Sequence, residues 1–336
     1  MKIYYPMYYK QFHCIAADCP DSCCKEWIVD VDAQSAACYR ALPGDLGARL
    51  RDVLADTEDG TVMTIENGRC PMWRQDSLCR IQAELGHDAL CKTCREYPRL
   101  QHDFGDFLEL GLELSCPEAA RLILTSPWET VSEEVDGHTP AEYDPDIMEL
   151  LLSSRRDAIV LLADTRFSPA QRLAILLLYA HDIQGQIDGG DPAPLDPEIL
   201  LAEAEVYVQK ADIDGIFALF RQLEILSPAW AARLRQPLPL RWFKETIPLA
   251  VYWVQRYWLQ AVSDLDLICR VKFLVVGCIL INALGGDPMQ TAQRFSKEIE
   301  NDLDNLDAIL NAAYTNPALT DANLLGILLD KNTKIP

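Results

Sequence analysis

Beyond position 144 the chain is a succession of segments in which apolar residues recur every three or four positions. Residues 171–183, 198–210, 212–226, 244–262, 265–284 and 291–312 are each helix-length and are separated by Pro, Gly or Asp. Ser168-Pro169 and Asp196-Pro197 supply an N-cap and a first-turn proline ahead of two of them. Trp253, Tyr257 and Trp258 fall at helical spacing and read as core. The first 128 residues lack this period. Short alternating runs at 26–31 and 103–114 predict strands, and turn signals such as Pro20-Asp21 and Asn67-Gly68 break up the rest. The pattern predicts a mainly α fold: an irregular Cys-rich metal-binding module over residues 1–128, then a multi-helix domain over 129–336. An acidic linker at 129–146 and a Gly/Asp/Pro linker at 188–197 punctuate the helical part, and no internal repeat or low-complexity tract is present.

With 336 residues, 49% of them hydrophobic, the chain can build a sizeable core. The start, MKIYYPMYYK, has no apolar signal region, and the longest apolar stretch, 267–284, carries Arg270 and Lys272. Both features lead us to expect a cytoplasmic protein. The net charge of −21 repels phosphate backbones and anionic lipid, so neither a nucleic-acid nor a membrane partner is expected. The same field attracts a lysine-bearing protein or serves solubility alone.

The twelve cysteines change the picture most. Eight form two tight groups, Cys14, Cys19, Cys23 and Cys24 (C-x4-C-x3-C-C), then Cys70, Cys79, Cys91 and Cys94 (C-x8-C-x11-C-x2-C), and Cys116 follows. In a reducing compartment such clusters are metal ligands more often than disulfides. Two loops about fifty residues apart must then converge. Spacing leaves a structural zinc site and an iron–sulfur cluster both open, since zinc favours short four-ligand knuckles and a cluster tolerates scattered thiolates. Adjacent Cys23 and Cys24 diverge in an extended segment and are awkward on one small ion. Between Arg69 and Arg99 six basic residues face four acidic ones, a setting that stabilises thiolates. Cys38, Cys269 and Cys278 stand alone and read as small buried hydrophobes. The five histidines, His13, His87, His102, His138 and His181, show no paired spacing and read as packed or solvated.

The run FHCIAADCPDSCCKEWIVDVD (12–32), followed by CPMWRQDSLCRIQAELGHDALCKTCREYPR (70–99), resembles the flagellin lysine N-methylase family. The shared pattern is a C-x4-C-x3-C-C-x2-W opening, then Leu-Cys-x-Ile-Gln-x-x-x-Gly at 78–86 and Leu-Cys-x-x-Cys-x-x-Tyr-Pro-Arg at 90–99. The stretch QRFSKEIENDLDNL (293–306) is similar more loosely. The resemblance implies methyl transfer from S-adenosylmethionine to surface lysines of flagellin, with an iron–sulfur cluster, 4Fe–4S or zinc in its place, held among Cys14, Cys19, Cys23, Cys24, Cys70, Cys79, Cys91, Cys94 and Cys116. Nine thiols exceed the four that one such cluster needs.

Lysine methylation requires a neutral amine aligned with the sulfonium methyl, so an orienting, proton-accepting oxygen is needed. Tyr97 and Glu96, beside the Cys91–Cys94 pair, are the candidates for that work, although Tyr97 before Pro98 also suits a packed turn. Arg99 could hold the cofactor carboxylate, and Tyr8, in the run Tyr4, Tyr5, Tyr8 and Tyr9, could face its cation. Trp27 reads as a lid over the metal site. No glycine-rich loop or βα alternation is present, so any S-adenosylmethionine site must be of an unusual kind. Cys19-x3-Cys23-Cys24 departs from the C-x3-C-x2-C of radical enzymes. A non-catalytic zinc or iron–sulfur protein, serving as a partner-binding module or electron carrier, is the alternative reading.

Overall fold

The computed structural model describes residues 1–137, 139–208 and 211–330. His138 and the last two residues of the helix expected over 198–210 lie outside them.

The first part of the chain mixes both element types: β1 (Lys2–Pro6), β2 (Val29–Val31), α1 (Ala33–Ala41), α2 (Gly44–Val53), β3 (Leu54–Asp56), β4 (Thr61–Met63), α3 (Arg80–Leu85), α4 (Lys92–Glu96), β5 (Arg99–Asp103), β6 (Phe107–Leu112), α5 (Pro117–Thr125) and β7 (Thr130–Glu134). Helices follow: α6 (Pro145–Ala163), α7 (Pro169–Ile187), α8 (Pro197–Val206), α9 (Ile213–Phe220), α10 (Pro228–Leu234), α11 (Thr246–Tyr257), α12 (Ala261–Asp264), α13 (Ile268–Leu284), α14 (Pro288–Phe295), α15 (Leu303–Thr315) and α16 (Asp321–Leu328). The fold is mainly α, as the patterning predicts. The first 128 residues are not irregular, however. Their strands run only three to six residues, and α3 and α4 span six and five, too short for a period to register in the sequence.

One sheet has the order β5-β6-β1-β7, with β1 parallel to β6 and the other pairs antiparallel. A second, β2-β4-β3, is wholly antiparallel. Two cores result. The larger one joins Tyr8, Phe12, Phe107, Leu112 and α5 to the helices, so it crosses position 128, and α13 is buried along nearly its whole length at its centre. The smaller one gathers Val29, Val31, Tyr39, Leu50, Met63, Met72, Ile81 and Cys91.

Helix starts follow the sequence closely. Ser168 closes a full capping box with Gln171, and Asp144, Asp196, Ser227 and Asp287 each cap a helix that opens with proline. Two expected helices are broken. Residues 244–262 divide into α11, a 3-10 turn at Trp258–Gln260, and α12; Trp253, Tyr257 and Trp258 are buried there as core. Residues 291–312 divide because Ser296–Glu300 forms a π turn and Asp302 then caps α15 by accepting from Asn305 N at 3.0 Å. Among the described residues no helix is long and apolar enough to cross a membrane.

Candidate functional site

The two cysteine groups meet because a tight hairpin aligns them. Asn67 and Gly68 take φ of 52° and 73°, the geometry of a two-residue hairpin turn, and Glu66 pairs with Arg69. Lys25 bridges to Arg69, and Cys70 N donates to Cys24 O at 2.7 Å, which sets the second group against the first. Asp32 fixes the third segment. Its carboxylate caps α1 through Ser35 N at 2.9 Å and accepts from Lys92 N at 2.8 Å, and these amide bonds, that from Lys92 foremost, lower its pKa to about 2. Cys79, Cys91 and Cys116 are the N-cap residues of α3, α4 and α5, so each sulfur faces first-turn amides.

Close contacts join five of the thiols into a trio and a pair. Cys24 contacts both Cys23 and Cys70, and Cys91 contacts Cys94; Cys79 and Cys94 each lie within electrostatic range of Cys23 and Cys70. Six cysteines from both groups therefore form one set. Cys19 lies within electrostatic range of Cys14 and Cys23, and Cys116 within range of Cys19 and Cys23. Thiol sharing lowers Cys23 to about 7 through Cys24 and Cys91 to about 7 through Cys94, while burial pushes Cys116 up to about 12. All twelve thiols are free, Cys38 is exposed, and Cys269 and Cys278 are buried in α13. Among the described residues no group of three or more His, Cys, Asp or Glu is placed to hold one metal ion.

Trp27 donates through Nε1 to Cys23 O at 2.6 Å and packs its ring 5.8 Å from that of Tyr97. The Tyr97 phenol is buried, which raises its pKa well above the ordinary value, and its hydroxyl meets Ser115 Oγ at 3.0 Å. Glu96 is exposed at the end of α4 and does not join it. The carboxylate that does is Glu113, which the sequence reading missed. Ser115 Oγ donates to its Oε2 at 3.1 Å, and burial pushes its carboxyl up. Its position at the end of a strand, outside any motif, gave no signal. Arg99 stacks on the Phe12 ring at 5.2 Å. Tyr8 lines a separate pocket with Tyr4 and Tyr5, and Arg99 is not among that pocket's residues.

The stretch 293–306 reaches the cysteine loop directly. Gln293 Nε2 donates to Asp21 Oδ2 at 2.9 Å and to Ser115 O at 2.7 Å, and Lys297 Nζ donates to Asp21 at 2.8 Å and Ser22 O at 3.1 Å. Arg294 pairs with Glu26 at 2.6 Å. Burial opposes ionisation of Asp21, but Lys297 and Lys25 outweigh it and hold that carboxyl far below the ordinary range. The π turn is what aims Lys297 at this loop. It places buried Lys297, Glu298 and Glu300 in one widened turn.

Comparison with known proteins gives consistent matches. The chain is 30% identical over 135 residues to a protein named flagellar biosynthetic protein FliU from Salmonella muenchen, covering 36% of this chain and 76% of that one. It is 29% identical over 135 residues to proteins named lysine-N-methylase from Salmonella typhimurium and Salmonella choleraesuis, and the match spans 32% of the length of each. No family profile matches the chain, and no solved structure does.

Proposed function

The chain belongs to the flagellin lysine N-methylase family, and from that premise we propose that it transfers methyl groups from S-adenosylmethionine to surface lysines of flagellin with the aid of an iron–sulfur cluster. The observation that carries the reading is the likeness to FliU over 76% of that protein, joined by the two lysine-N-methylases. Cys23, Cys24, Cys70, Cys79, Cys91 and Cys94 would supply the ligands of the cluster, which would tie the three loops together and offer a one-electron couple. The chain's own residues account for the proton. Glu113 accepts the proton of the incoming lysine ammonium, and Tyr97, kept as a phenol by burial, holds that carboxylate in place through Ser115. The amine nitrogen then forms its bond to the methyl carbon as the carbon–sulfur bond breaks and its electron pair stays on sulfur. The net charge of −21 favours encounter with a lysine-bearing surface.

A non-catalytic metal-binding module is the second reading, favoured by a match that spans only 32% of the lysine-N-methylases. Incubating the anaerobically purified chain with flagellin and methyl-labelled S-adenosylmethionine separates the two. Label on flagellin lysines supports the transferase, and none above background sinks it. Iron, acid-labile sulfide and zinc measured on the same sample test the cluster; stoichiometric zinc without iron would make the thiols a structural site.

A further inference from the structure

Helix α8 packs one side against α7 and leaves the other open. Leu200 and Ala204 enter the larger core. Ile199, Ala202 and Val206, at i, i+3 and i+7, form a stripe along the opposite side, and Ile199 and Val206 are 55% and 81% exposed. Leu195, just before the cap, and Tyr207, just after the last turn, are exposed as well and lengthen the apolar surface. A single exposed apolar side chain is ordinary on a protein surface. Several in register on one helix face mark a place where another surface lies.

The edges of the stripe say what that surface carries. At 100° per residue Glu203 borders it on one edge, and Glu198 and Glu205 border it on the other. From 188 to 208 the chain has six acidic residues and no Lys or Arg. Arg166 neutralises Glu198 at 2.6 Å, and Asp182 of α7 adds its charge within range of Glu203. Among the described residues Glu203 and Glu205 pair with no cation. A second copy of this chain laid on the face would set these carboxylates against their like, and anionic lipid or nucleic acid would be repelled too. A lysine-bearing partner gains both terms. The apolar row is one helix wide, so a second amphipathic helix laid along it matches its shape.

We propose that the outward face of α8 docks a lysine-bearing amphipathic helix of the protein substrate, its apolar row on Ile199, Ala202 and Val206 and its lysines against Glu203 and Glu205. The identity of the partner rests on the methyltransferase reading, to which the proposal adds the surface that holds that partner. Calorimetric titration of flagellin monomer into the anaerobically purified full chain, without S-adenosylmethionine, measures docking apart from transfer. Ile199→Ser combined with Val206→Ser removes apolar area without changing charge and should weaken binding about tenfold or more. Glu203→Gln combined with Glu205→Gln should weaken it at low salt and converge with the wild type at high salt, where the charges are screened. All four positions are exposed and the two variants act on different forces, so a fold defect in one leaves the other to decide. Either variant binding at low salt as the wild type does overturns the proposal, as does a wild type with no affinity for flagellin. Labelled transfer judges the methyltransferase reading separately. Binding that falls in the variants without any transfer keeps the docking face and sinks the enzyme, and transfer with unaltered binding does the reverse.

Discussion

Glu113 is where the chemistry and the stability of the fold pull in opposite directions. Its carboxyl is pushed above the ordinary 4.5 by burial, so the folded state holds the proton more tightly than the unfolded chain does. Stability therefore falls as pH rises from about 4.5 through the raised value, and at neutral pH the buried charge is a cost. Glu113→Gln keeps the bond from Ser115 and removes that cost. We expect it to melt no lower than the wild type at pH 7.5 while methyl transfer falls about a hundredfold, the scale of a lost general base; a variant of full activity would remove Glu113 from the mechanism. Tyr97→Phe should cost less, because the phenol acts on the acid only through Ser115. Nothing in the sequence distinguished Glu113 or Ser115. Each is an ordinary polar residue near the end of a strand, and their roles come from Tyr97 folding back onto Ser115, eighteen residues away, which in turn bonds Glu113. The cysteines were legible because their chemistry is written in type and spacing, whereas their pairing required the hairpin at Asn67-Gly68 to be seen.

Among the elements, the α14 and π-turn segment has two tasks, and each can be broken alone. Toward the helical core, Gly277 on α13 lets Trp253 of α11 approach so closely that an added Cβ would lie 2.5 Å from the indole, with Phe295 of α14 behind it at 3.3 Å. Gly277→Ala should destabilise by about 1–3 kcal/mol through overpacking, read as a lower denaturant midpoint with unchanged slope. Toward the cysteines, Lys297 and Asp21 have side chains only 7% and 11% exposed, so removing the cation leaves a buried carboxylate to Lys25 and the Gln293 amide. Lys297→Met should cost about 3 kcal/mol and reduce the iron retained per chain after gel filtration, with Lys297→Arg restoring part of both. Equal iron in the wild type and Lys297→Met would mean that this contact does not support the cysteine loop. Asp21, depressed in the fold, contributes stability above its ordinary 3.8 that is lost only as pH falls through its lowered value. The caps of α6, α7 and α8 could be read in advance, since an Asp or Ser before Pro is a local signal. The breaks at 258–260 and 296–300 could not, because tertiary partners such as Asp21 and Ser154, which accepts from Trp258 Nε1 at 3.0 Å, help to set them.

In the whole molecule the two hydrophobic cores differ in what sustains them. The larger one rests on α13 and its neighbours and buries Trp230, Trp253, Trp258 and Phe273. The smaller one relies on few large side chains, three short strands and helices of at most ten residues, a scale at which burial alone rarely holds a fold together. Six neighbouring thiols stand beside it, so a bound cluster would be part of its folding free energy and not merely a reagent placed on it. Removing iron with a chelator under anaerobic conditions should therefore raise amide hydrogen exchange across residues 29–94 while α7 and α13 keep their protection. Uniform loss of protection would mean that the two cores fold as one unit. No change anywhere would mean that the thiols contribute nothing to stability through metal. The contacts of Lys297, Gln293 and Arg294 with Asp21 and Glu26 cross from the larger core to the cysteine loop. Exchange in 293–300 thus reports whether loss of metal is felt on the helical side, where buried Glu300 pairs with Arg256.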